Sequence, residues 1–215
     1  MILFDIETRG NQEALQFLPE VQAPGNYKDP EKIEAYIARK REEQINNAAL
    51  DPDLGKIVAI GWMDVKAKEL EPVLVDKIEP VSWLIADYEN EEGLIKAFWK
   101  LLKEHNGYCV GYNLLNFDLP YLVRRSFALD IKLPIYPIMA RYRTQPVLDL
   151  MQVLYNWGAP KSLKWVAERY GFIVPMPDVD GSMVADMDED TLRKYVESDI
   201  VVTYQLYKKM EGIYF

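Results

Sequence analysis

The sequence predicts an α/β fold, a mixed five-stranded sheet flanked by helices, and three observations predict it. Antiparallel-looking strands come early, strands alternate with helices later, and 49% of the 215 residues are apolar, enough to bury a substantial core. That length favours one domain over two. We therefore expect a single domain, residues 1–215, carrying a surface insertion at about residues 10–55.

Residues 2–8, Ile-Leu-Phe-Asp-Ile-Glu-Thr, read as the first strand. Side chains alternate faces with a period of two, so Phe4 and Ile6 point one way while Asp5 and Glu7 point the other. Two acids on one face of an apolar strand are costly unless something neutralises them. The insertion follows, with a helix expected over residues 29–47 behind Pro30. Its apolar residues Ile33, Tyr36, Ile37 and Ile45 make only a thin stripe, and Arg39, Lys40 and Arg41 fall among Glu42 and Glu43 as a solvated face. Because it joins two strands near the acids, the insertion is expected to act as a flap.

Residues 57–62 read as the next strand and residues 72–75 as its antiparallel partner. A helix follows over 91–104, stopped by Asn106-Gly107. Residues 108–113 form a short buried strand, and 117–127 a helix with Pro120 in its first turn, which puts Asp118 at a strand-to-helix junction. Residues 130–146 are Pro-rich loop, 147–150 a strand running into a helix, 162–170 a helix, and 190–210 a long final helix. No repeat or low-complexity tract interrupts this order.

The formal charge of −9 argues against tight, non-specific coating of nucleic acid. It does not argue against catalysis on nucleic acid, because acids gathered around bound divalent cations leave a locally cationic site. The single cysteine, Cys109, excludes an internal disulfide or a thiolate cluster and reads as a small buried hydrophobe. Asp5, Glu7 and Arg9 leave no uncharged run for a secretory signal, and no stretch approaches a membrane span. A soluble, intracellular and cytoplasmic protein is expected.

Tyr195 and Asp199 lie four residues apart on the last helix and so share a face. The adjoining stripe of Leu192, Val196, Ile200 and Tyr207 would hold that helix against the sheet, bringing its polar face to Asp5 and Glu7. Carboxylates so gathered repel by roughly 4 kcal/mol per pair at 4 Å and an effective dielectric near 20, which divalent cations relieve. An all-carboxylate set suits Mg²⁺ or Mn²⁺; zinc would want His or Cys, and His105 and Cys109 lie away from the acidic motifs.

Phe4-Asp5-Ile6-Glu7-Thr8, Asn113-Leu-Leu-Asn116-Phe117-Asp118 and Tyr195-Val-Glu-Ser-Asp199 together resemble the three motifs of the DEDD exonuclease superfamily in its Tyr-bearing (DEDDy) branch. The likeness is to the proofreading domains of family-B DNA polymerases and their free-standing relatives. It spans the chain outside the insertion. The sibling branch has His five residues before the last Asp, where this chain has Lys194.

The resemblance implies a ribonuclease H-like fold and a 3′-5′ exonuclease that uses two Mg²⁺ or Mn²⁺ ions. Asp5 would bridge both ions, Glu7 and Asp199 would complete the first, Asp118 would hold the second through water, and Tyr195 would orient the attacking water. Thr8, Asn113, Asn116 and Phe117 would line the slot for the terminal nucleotide. The implied partner is nucleic acid, with single-stranded DNA 3′ ends favoured and a polymerase or repair partner left open. An RNA-directed exonuclease of the same fold and a catalytically silent binding module are the alternatives.

Each motif alone has a plainer reading. D-x-E also marks an edge strand, N-x-x-F-D a helix cap, and Y-x-x-x-D a packed Tyr beside a solvated Asp. Their order and combination favour catalysis. Asp178, Asp180 and Ser182 read as a loop, since Met183 stands where a calcium loop needs Gly. Asp149 reads equally as a helix cap or as a supporting acid of the site. Arg141, Arg143, Lys161 and Lys164 are the phosphate-binding candidates.

Overall fold

The computed structural model describes residues 1–65, 82–85 and 90–214. β1 (Ile2–Gly10) is the middle strand of a five-stranded sheet. On one side it pairs antiparallel with β2 (Gly55–Asp64), which pairs antiparallel with β3 (Ser82–Ile85). On the other it runs parallel to β4 (Cys109–Gly111), which runs parallel to β5 (Val147–Asp149). The order is β3-β2-β1-β4-β5, the mixed sheet expected. The strand expected at 72–75 lies outside the described residues; β3 is the partner that β2 takes among them.

The two faces are covered differently. α2 (Glu91–Glu104) and α3 (Asp118–Ala128) pack Ile95, Phe98, Leu102, Leu119 and Leu122 against Ile2, Phe4 and Ile6. On the opposite face α4 (Leu150–Leu154), α5 (Leu163–Tyr170) and α6 (Glu189–Glu211) pack with Leu3, Val58 and Ala59. The period of two in β1 thus separates two core layers and leaves Asp5 and Glu7 on the α6 side. Pairing shifts register from Glu7↔Ala59 to Thr8↔Ile57, so Val58 is an extra residue on β2. This bulge puts Val58 and Ala59 into one layer while Ile57 and Ile60 remain in the other.

Helix starts follow the caps written in the sequence. The Asn90, Ser162 and Asp188 side chains accept from the amides of Gly93, Trp165 and Thr191, satisfying donors that a helix start leaves open. α2 keeps its expected bounds, while α3 and α6 differ from expectation by one residue at each end. Cys109 is fully buried, as expected, and burial pushes its thiol well above the ordinary range.

The insertion joins the paired ends Gly10 and Gly55. Its helix α1 (Pro30–Asn47) is capped by Asp29 and buries no residue, which is what its thin stripe predicts. Arg39 and Lys40 pair with Glu43 on the exposed face. The return of the insertion is different. Ala48 is buried, the Ala49 carbonyl accepts from Thr8 (2.7 Å) and Tyr121 (3.1 Å), and the Pro52 carbonyl accepts from Arg125 (3.2 Å). Arg125 also makes a two-pronged ion pair with Glu91 at 2.8 and 2.7 Å, and Glu91 accepts from the Ile57 amide. The end of the segment that reads as surface is therefore wired into the core.

Candidate metal and active site

Alternation along β1 aims Asp5 and Glu7 at α6, and the i, i+4 spacing of α6 presents Tyr195 and Asp199 to them. Each of Asp5, Glu7 and Asp199 offers a carboxylate oxygen, and the three oxygens lie within 4.8 Å of one another. The approach is close because Gly61 on β2 lies beneath α6: a Cβ there would stand 2.2 Å from Val196 Cγ1 and 3.1 Å from Ile200 Cγ1. The Tyr195 hydroxyl faces Asp199 from one turn away on α6 and favours its ionised form.

Asp118 reaches the same strand from the other side. It opens α3, is buried, and accepts from the Ile6 amide at 3.2 Å, between Asp5 and Glu7. Its charge is felt at both Asp5 and Glu7. The three expected motifs thus converge, with Asp118 bordering the group rather than inside it.

Electrostatics fit a cation at this point. Burial and then the neighbouring acids raise Asp5 (Asp118, Glu7, Asp199) and Glu7 (Asp199, Asp118) well above the usual carboxylate range. Burial raises Asp118 to about 7, and Asp199 to about 6 against the lowering effect of the neighbouring Tyr195 hydroxyl. Burial first, and then the acids, hold the Tyr195 hydroxyl far above its ordinary value, so it is a hydrogen-bond donor and not a base. Among the described residues none of the four carboxylates has a Lys or Arg partner. Such a set is poorly satisfied by protein alone, and all-oxygen donors suit a hard divalent cation. His105 bonds Asp64 at 3.2 Å, apart from the cluster.

Around this core the other expected residues divide. Asn113 takes a positive φ of 69°, and its side chain accepts from Asn116 at 3.1 Å. Phe117 is half-buried, its ring 5.4 Å from Tyr121. Thr8 has its hydroxyl engaged by Ala49, so it ties down the insertion.

Asp149 caps a helix, as one reading of it had, and also reaches the loop that carries the second motif. Fully buried, it accepts from Met151 and Gln152 at the start of α4 and from Asn113 and Leu115 in the loop that leads to Asp118. A residue that sequence reasoning passed over is Arg9. Its guanidinium donates to the Val184 and Met187 carbonyls at 2.7 and 2.5 Å, fastening residues 181–187 across the end of β1. Its place one step beyond D-x-E-T was the available signal.

A cavity of about 290 Å³ opens beside Tyr195 and Asp199, with Ser162, Lys164, Asp180 and Gly181 also in its wall. Lys164 was one of the phosphate candidates. Residues 178–180 are loop as expected, but Gly181–Asp186 form a 3-10 helix capped by Asp180, and this segment borders the cavity, which its acidic spacing did not announce.

Comparison with known proteins agrees with this geometry. A family model described as "Predicted 3'-5' exonuclease related to the exonuclease domain of PolB" matches residues 50–214, which include Asn113–Asp118 and Tyr195–Asp199 but not β1. The DNA polymerase delta catalytic subunit of Bos taurus is 30% identical over 98 residues, 42% of this chain and 9% of that protein. The family B DNA polymerase of the hyperthermophilic archaeon Pyrobaculum calidifontis superposes with a TM-score of 0.60 at 21% identity, covering 98% of this chain and 24% of that one. The structural likeness shows the fold, which is ribonuclease H-like. This chain spans less than a quarter of either relative. Among the described residues no helix is long and apolar enough to cross a membrane.

Proposed function

Since the chain belongs to the family of 3′-5′ exonucleases related to the exonuclease domain of PolB, we propose that it removes nucleotides from the 3′ ends of single-stranded DNA, releasing nucleoside 5′-monophosphates by a two-metal mechanism. The observation that carries this reading is the convergence of Asp5, Glu7 and Asp199, whose carboxylate oxygens lie within 4.8 Å of one another, with Tyr195 beside Asp199 on α6. Asp5, Glu7 and Asp199 would hold one Mg²⁺ or Mn²⁺, and Asp5 with Asp118 a second. The bound ions supply charge neutralisation at the phosphate and water acidic enough to attack near neutral pH.

The protein's own groups do the rest. Tyr195 gives its hydroxyl to orient the attacking water, a role that needs no ionisation. Asn113 and Asn116 offer amides to the terminal nucleotide, and the Phe117 ring offers a stacking face. Asp149 keeps that loop rigid. Water attacks phosphorus, the bond to the 3′ oxygen breaks, and the shortened strand leaves with a free 3′ hydroxyl. A single strand suits a slot that takes one unstacked nucleotide, because fraying a duplex costs pairing energy.

The test is incubation with 5′-labelled single-stranded DNA in Mn²⁺ or EDTA. A ladder shortening from the 3′ end only in Mn²⁺ is expected; undiminished cleavage in excess chelator sinks the mechanism. The same assay on RNA distinguishes an RNA-directed enzyme, and no cleavage of either strand indicates a silent binding module.

A further inference from the structure

A second cavity, of about 220 Å³, lies beyond Asn116 and is walled by Arg141, Tyr142, Gln152, Trp157 and Pro160. Neither Tyr195 nor Asp199 reaches it. Asn116 is the link, since it belongs to the loop that leads into Asp118.

Four features of its wall point to one kind of ligand. The Tyr142 and Trp157 rings stand 5.0 Å apart, with Tyr142 72% exposed above Trp157. These are the two positive-φ residues, among the described residues, that are neither Gly, Asn nor Asp, at φ 64° and 55°. Bulky side chains rarely adopt that conformation, and it persists where surrounding structure over-determines it, often at a ligand site. The Trp157 indole N–H is buried and finds no acceptor among the described residues. Arg141 is exposed and in no ion pair among them.

The local charge agrees. Residues 131–167 carry Lys132, Arg141, Arg143, Lys161 and Lys164 against one acid, Asp149, in a protein whose net charge is −9. Asp149 is buried and spent on backbone amides. An unpaired guanidinium beside an exposed ring, flanked by the amides of Asn116 and Gln152, matches phosphate, base face and base edge together.

We infer that this cavity is a subsite for a nucleotide lying 5′ of the one being removed, its base stacked on Tyr142 and its phosphate held by Arg141. The inference rests on the exonuclease reading for the direction of the strand, and Asn116 separates the subsite from the terminal slot. Tyr142 and Arg141 are positioning residues for the strand and touch no reacting atom.

The experiment is fluorescence anisotropy of a 5′-labelled oligothymidylate with the intact protein in EDTA, so that no cleavage occurs. Tyr142→Ala is expected to weaken binding by about 10- to 100-fold, the order for one lost base–aromatic stack, and Tyr142→Phe to restore it. Arg141→Ala is expected to weaken binding and flatten the salt dependence by about one unit of slope or slightly less, whereas Tyr142→Ala leaves that slope unchanged. Circular dichroism checks that each variant is folded. If folded Tyr142→Ala and Arg141→Ala both bind like the parent, or the parent binds no oligonucleotide, the subsite is wrong. Cleavage by a parent whose binding ignores both substitutions sinks this inference alone. Weakened binding in variants of a parent that cleaves nothing sinks the exonuclease reading and, with it, the 5′ assignment, leaving a single-strand binding site at Tyr142 and Arg141.

Discussion

Asp5 stands directly opposite Gly61 across the β1–β2 ladder, and Gly61 is where α6 comes down onto the sheet. The strand pair that carries the first acid therefore also sets the height of the helix that carries Tyr195 and Asp199. Gly61→Ala would place a Cβ 2.2 Å from Val196 Cγ1, so α6 must shift or Val196 must repack. We expect a loss of about 1–3 kcal/mol in stability together with weaker Mn²⁺ binding. Chemical denaturation and calorimetric Mn²⁺ titration of the same variant check this. Lost stability with parent-like Mn²⁺ affinity would show that the site does not depend on this approach.

The roles of Tyr195 and the acids are separable. Tyr195→Phe keeps the ring but removes one hydrogen bond, and is expected to slow cleavage by about 10- to 1,000-fold while binding Mn²⁺ normally. Asp5→Ala and Asp199→Ala are expected to fall further, toward background, and to lose Mn²⁺ affinity. Rates on a labelled single strand give the order, and a fully active Tyr195→Phe would refute water positioning by this residue.

Removal of metal should make stability depend on pH in a particular direction. Asp199 and Asp118 are raised to about 6 and 7, and Asp5 and Glu7 are also raised. Folding then favours their protonated forms, so this contribution is full below the ordinary carboxylate range and is lost as pH rises through about 6 to 7. In EDTA the melting temperature should be lower at about pH 8 than at about pH 5.5, by on the order of 5 °C. Mn²⁺ should raise it more at the higher pH, where the acids are ionised. Equal gains at both pH values would contradict a cation held by these carboxylates.

Asp149 should behave as a structural support with a functional readout. Asp149→Ala strands four amides, those of Asn113, Leu115, Met151 and Gln152, at about 1–3 kcal/mol for each group left buried and unpaired. A loss of at least about 3 kcal/mol is expected, with Asp149→Asn milder because one acceptor oxygen remains. Hydrogen exchange at 113–116 should rise in the alanine variant. Unchanged exchange there would mean that the loop is held by other contacts.

The insertion is expected to divide at Ala48. Excising residues 12–46 removes α1, which buries nothing, and should leave the domain folded with Mn²⁺ binding intact but with weaker substrate binding if the segment covers the strand. Extending the cut through residue 54 removes the Ala49 and Pro52 carbonyls that Thr8, Tyr121 and Arg125 use and should lower the melting temperature sharply. Thermal melts of the two deletions decide it; similar behaviour would mean that the return segment is not a strut.

Much of this molecule was legible before any coordinates. The bounds of α2 and the starts of α1, α5 and α6 follow from caps and prolines, whose chemistry is local. The faces of β1 follow from a period of two, and the shared face of Tyr195 and Asp199 from a period of 3.6. These are properties of a few consecutive residues, so order in the chain is enough to state them. Tertiary structure alone decided the rest. No local pattern announces that Val58 bulges or that Gly61 receives α6, and none names the segments, residues 113–115 and 181–187, that Asp149 and Arg9 hold. Thr8 went to the insertion because the Ala49 carbonyl, far along the chain, lies beside it and accepts its hydroxyl together with that of Tyr121. Each of these pairs residues distant in sequence, and whether a buried donor, acceptor or side-chain volume finds its match depends on which elements pack together.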